Sequence, residues 1–262
     1  MTDGIDRLLA TVDEQHKGES AHTRRTLVAG AAATLGGMGL LGLPKLAHAT
    51  SGNDPQTILN VATTAEVLAT IVNTVGWERK LGEDSVTQRN IKGAAREELI
   101  HYNVLVSVGG KALTKRIWVP DGVFASRYRL LRTLEAGDQI FINAYLIGTL
   151  TYGNAGNGKL AAIAAEFMGV EAVHRALARQ SLGQYGNDRA FMKFDQRETA
   201  TGAANNGAPG FTNILDAVKQ LQAAGFGFGA QGATPGRYYD FDQVSRRTPD
   251  DPAVNTRTPS VG

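Results

Sequence analysis

The chain of 262 residues contains no cysteine, which excludes a disulfide framework, a zinc ribbon or a thiol nucleophile. It has only five histidines. Its 27 basic and 25 acidic residues leave a formal charge of +2, without the concentrated basic excess of a nucleic-acid-binding surface. No nucleic-acid partner is therefore expected. A long, strongly apolar run is also missing near the start. The stretch after Leu27 is diluted by five glycines from Gly30 to Gly42, whereas a spanning helix wants about 20 strongly apolar residues. What is present is an apolar fraction of 42%, enough for a substantial core. Metal or acid–base chemistry in such a chain falls to carboxylates, tyrosines and the few histidines.

Residues 1–49 read as an export signal. A polar segment leads to Thr23-Arg24-Arg25-Thr26-Leu27, then a weakly apolar, glycine-rich stretch, then Ala47-His48-Ala49 as an A-x-A cleavage site. This pattern is that of the twin-arginine pathway. It makes the translocation machinery a partner and places the protein in the periplasm, in the cell envelope or outside the cell. An uncleaved leader would anchor it to the membrane. Twin-arginine export carries folded proteins, often with a cofactor already loaded.

The remainder divides into a helical region, residues 50–183, and a Gly/Pro/Asn-rich extension, residues 184–262. Asp54-Pro55 is a helix start, with an acidic N-cap and proline at the first helical position. Ile58, Val61, Ala65, Leu68, Val72 and Val75 follow at steps of three and four, predicting a helix over 55–77 with one core-facing stripe. A second helix fits 85–110, with Gly109-Gly110 as its stop. A third fits 126–152 and a fourth 159–182. Four matched amphipathic helices with a longer connection between the second and third predict an all-α chain built on an antiparallel bundle. The extension offers one short helix, 212–224. From Thr248 onward, extended or disordered chain is expected.

Three of the histidines, His16, His22 and His48, belong to the leader. The other two each stand three residues after a glutamate: Glu98-Leu99-Ile100-His101 and Glu171-Ala172-Val173-His174. That spacing puts both side chains on one helix face. The second helix's stripe reads Ile91, Ala94, Glu98, His101, Leu105 and Val108. The fourth's reads Leu160, Ala164, Phe167, Glu171, His174 and Ala178. Both Glu-x-x-His pairs therefore occupy core positions, where an ionised carboxylate costs several kcal/mol unless it is paired or bound to a cation. Glu66 borders the middle of the first helix's stripe, and Asp138 lies mid-stripe on the third. Antiparallel helices of equal length bring their midpoints to one level. Glu66, Glu98, His101, Asp138, Glu171 and His174 can then converge as four carboxylates and two imidazoles. This is the di-metal arrangement of ferritin-like bundles, and its oxygen-rich donor set suits two iron or manganese ions.

With these residues in hand, the sequence resembles an exported bacterial ferritin-like domain family related to desiccation-associated proteins. The resemblance spans about residues 55–183. It rests on Ile58-Leu59-Asn60 leading to Glu66, on Glu98-x-x-His101 with Leu105 and Gly109-Gly110, on Ala144-Tyr145-Leu146-x-Gly148, and on Glu171-x-x-His174. The family usually carries a glutamate where this chain has Asp138, which shortens that ligand by one methylene; Glu135, one turn away, is the alternative. The resemblance implies a metal-binding ferritin-like fold, a possible stress-protective role, and oxidoreductase chemistry on oxygen, peroxide or ferrous iron. In this reading Glu98 and Glu171 bridge or chelate, Glu66 and Asp138 are terminal ligands, and each histidine binds one metal. A rival reading is a metal-free bundle serving as an envelope stress or interaction scaffold. Homo-oligomerisation is compatible with either.

Other features read more plainly. Glu97 and Glu166 lie off the stripes and are expected in solvent. Tyr102 and Tyr145 are either donors beside the site or core aromatics. Gly227-Phe228-Gly229-Ala230-Gln231-Gly232 matches G-x-G-x-x-G, but no strand is evident before it and Pro235 follows, so a flexible loop is expected.

Overall fold

The computed structural model describes residues 53–187, 192–193 and 208–251. The paired arginines, the cleavage site and everything beyond residue 251 lie outside the described residues.

Four long helices dominate: α1 (Pro55–Glu78), α2 (Ser85–Ser107), α3 (Arg127–Asn154) and α4 (Gly158–Ser181). Each begins where a side chain can accept from orphan backbone N–H groups. Asp54 accepts from Gln56 and Thr57, Asp84 from Val86 and Thr87, Ser126 from Arg129, and Asn157 from Leu160. Helix α2 stops because Gly109 turns left-handed at φ +100°, and Gly110 then passes where a Cβ would meet Thr63 Oγ1 at 2.3 Å. Helices α1 and α2 pack as one pair and α3 and α4 as another, with α1 against α3 and α2 against α4.

The chain is mostly helical, with a sheet in addition. Strand β1 (Arg116–Pro120), in the connection between α2 and α3, pairs antiparallel with two strands of the C-terminal segment. These are β4 (Gly227–Phe228), with Ile117 opposite Phe228, and β5 (Gly236–Asp240), with Trp118 opposite Tyr238. Ile117 and Val119 point into the core while Arg116 and Trp118 point outward, the two-residue alternation of a half-buried strand. A second small sheet pairs β2 (Met192–Lys193) with β3 (Ala208–Pro209) in parallel.

Two expectations change here. The extension, expected to be irregular apart from one short helix over 212–224, is built into the molecule: that helix, α5 (Ile214–Ala223), and a further short helix α6 (Phe241–Ser245) pack on α1. Ile214, Leu221, Phe226, Phe228 and Phe241 join the same core as the long helices. In consequence α1 has no solvent face. Its residues from Ile58 to Gly76 are buried except Asn60 and Ala65, because the C-terminal elements cover the side that a single stripe leaves open. It is also, among the described residues, the one helix long and apolar enough to cross a membrane, and 89% of its apolar window lies inside the protein. The G-x-G-x-x-G segment is not a flexible loop. Its first two residues form β4, and a Cβ at Gly232 would collide with Gly225 O at 2.0 Å, so the turn is tightly packed.

Candidate metal centre

The six residues singled out by spacing are all buried. Glu66, Glu98 and Glu171 are 0% exposed, and His101, Asp138 and His174 between 2% and 7%. Each of the four long helices contributes at mid-length: Glu66 from α1, Glu98 and His101 from α2, Asp138 from α3, Glu171 and His174 from α4. In Glu66, Glu98, His101 and Glu171, one ligand atom apiece lies within 4.8 Å of all the others, a grouping that can hold a metal ion.

His101 turns its Nδ1 toward three carboxylates: 3.3 Å to Glu98 Oε2, 3.4 Å to Glu171 Oε1 and 3.6 Å to Glu66 Oε2. His174 approaches the same two central carboxylates from the other side, its Nδ1 lying 3.1 Å from Glu98 Oε1 and 3.8 Å from Glu171 Oε2. Glu98 and Glu171 thus each present one oxygen to each imidazole. Asp138 belongs to the His174 side, where it lines a narrow cavity with His174 and feels the charges of Glu171 and His174.

Neighbouring side chains hold these groups in place. The Tyr145 hydroxyl donates to Glu66 Oε1. Phe167 stacks on His101 with ring centroids 4.0 Å apart, and Tyr145 meets Phe167 edge-on. Glu97, expected in solvent, instead lies 2.6 Å from His174 Nε2, with its side chain 32% exposed. A carboxylate on the outer ring nitrogen favours a proton there and leaves Nδ1 free to act as a ligand. Glu135, the alternative to Asp138, is occupied: its oxygens accept from Arg132 and Arg179. Glu166 is exposed, as expected. Tyr102 packs against Phe241 rather than at the centre.

The electrostatics are those of crowded acids. Burial pushes the Glu66 carboxyl up to about 7, with His101 pulling down and Glu98 pushing further up. Burial, then the Glu171 charge, holds Asp138 well above the ordinary carboxylate range. For His101, burial alone lowers the pKa. The charge of Glu66 and the closeness of Glu171 and Glu98 outweigh it and hold the imidazolium well above its usual range. His174 is raised in the same way, chiefly by Glu98. Burial also keeps the Tyr145 phenol protonated to high pH.

Hydrogen bonds leave much of this centre unsatisfied. Glu66 Oε2, both oxygens of Glu98 and of Glu171, Asp138 Oδ2, and Nδ1 of both histidines have no hydrogen-bond partner although buried. Buried polar atoms are nearly always paired, so such a convergence asks for a further group among them. Hard oxygen donors with two imidazoles fit a divalent first-row metal, and the residues present fit that group. Comparison with protein-family models, with curated proteins and with solved structures found no match.

Proposed function

We propose that the protein is an exported, ferritin-like four-helix protein that binds a pair of iron or manganese ions between α1, α2, α3 and α4. The observation that carries the reading is the double-faced placement of Glu98 and Glu171, one oxygen toward each imidazole. Glu98 and Glu171 would serve both ions, with Glu66 and His101 helping to hold one and Asp138 and His174 the other. Charge supports the number: four carboxylates balance two dications when both histidines are neutral. Export rests on the Thr23–Leu27 motif and the Ala47–Ala49 site of the leader.

When bound in the reduced state, the pair supplies two electrons, enough with two protons to convert dioxygen to hydrogen peroxide or hydrogen peroxide to two waters. Around it the chain's own residues have separate tasks. Tyr145 orients Glu66, Glu97 fixes the His174 tautomer, and Phe167 excludes water from the His101 side. Stress protection against oxidants is the role that fits this chemistry. Anaerobic titration of the metal-free protein with ferrous or manganous ion tests the reading: uptake is expected to saturate near two per chain. Saturation at one, or no uptake, would rule out the pair.

A further inference from the structure

A second cavity adjoins the one shared by Asp138 and His174. It lies between α1, α3 and α5, walled by Leu68, Val72, Phe141, Leu221 and Phe226, with Asn73, Thr133 and Asp138 also in its lining. Its lining is almost wholly apolar, and it has room for about two water-sized molecules. The first cavity is mostly apolar as well, but Thr87, Asn90 and Ser181 line it alongside His174. The two meet at Asn73, Leu134 and Asp138. Asn73 Oδ1 and Asp138 Oδ2 are buried there without hydrogen-bond partners.

An ion entering the apolar cavity would lose its hydration for nothing in return. Water is poorly held by such walls as well. A small uncharged molecule of two heavy atoms meets neither objection. We infer that the apolar cavity beneath α5 is a binding pocket for dioxygen-sized apolar molecules and delivers them to the Asp138 side of the centre. This rests on the metal-pair reading for the identity of the substrate, and it gives the C-terminal segment a function as the roof of the pocket.

Xenon, an apolar probe of similar size that needs no metal, tests the pocket itself. In crystals of the full chain under xenon pressure, one atom is expected between Val72, Phe141 and Leu221. A Cβ at Gly137, which lines the cavity, meets no atom within 4 Å, so Gly137→Leu is the variant chosen to fill the space. Ala69→Leu fills it from α1. Each variant is expected to lose the xenon, to keep about two metals per chain, and to slow oxidation of the ferrous-loaded protein by dioxygen at least fivefold. Absence of xenon from the parent protein with metal uptake intact overturns the pocket alone, as does an unchanged oxidation rate in both filled variants. Xenon bound in a protein that takes up no metal overturns the metal pair and, with it, the assignment of dioxygen.

Discussion

At the scale of single residues, the centre is defined by what its side chains lack as much as by what they touch. A carboxylate such as Glu98, 0% exposed and with neither oxygen hydrogen-bonded, is tolerable when a cation neutralises it. Glu97 gives the sharpest test of the arrangement around the ligands. Glu97→Gln keeps a hydrogen-bonding side chain but removes the charge facing His174 Nε2. It should weaken metal binding about 10- to 100-fold, as read by competition with a chelator. Tyr145→Phe removes the donor to Glu66 and is expected to lower the stability of the loaded protein by about 1–3 kcal/mol. The Glu-x-x-His pairs were legible in the sequence because spacing and stripe agree within one helix. Glu97 was not, since its task depends on His174 arriving from another helix. Asp138 was placed by its mid-stripe position with Glu135 as the alternative; that Arg132 and Arg179 pair with both oxygens of Glu135 was invisible from spacing.

At the scale of elements, helix ends were readable and strand pairing was not. Asp54 caps α1 as its residue type suggested, and Asp84, Ser126 and Asn157 cap the other three long helices by the same local chemistry. Strand β1 carries only five residues, and its partners lie more than a hundred positions along the chain, beyond any local signal. Its alternation of Ile117 and Val119 inward was there to be seen, yet only β4 and β5 make it a strand. Ile117 is 0% exposed, so Ile117→Ala should cost about 2–5 kcal/mol in chemical denaturation. Helix α1 shows the same limit. Its stripe marked one core-facing side, and nothing local revealed that α5 and α6 would cover the rest.

At the scale of the whole molecule, a metal bound as proposed would compete with protons for one buried cluster, and stability should depend on pH accordingly. Glu66 titrates at 4.5 ordinarily and at about 7 in the folded, metal-free protein. A raised folded value contributes stability below 4.5 that is lost as pH rises toward 7, on the order of 3 kcal/mol. Raised Asp138, His101 and His174 act in the same direction, each from its own ordinary value upward. Glu97 acts oppositely, its lowered value adding stability above 4.5 that disappears in acid. The melting temperature of the metal-free protein should therefore fall from pH 5 to pH 8, whereas that of the loaded protein should not. The central claim is that the four long helices exist around two metal ions. The most direct measurement is elemental analysis of the protein purified after native export, beside the His101→Ala/His174→Ala double variant. About two irons or manganeses per chain in the first, and loss of both in the second, is the expected result. A folded, metal-free protein whose stability the double substitution leaves unchanged would contradict it.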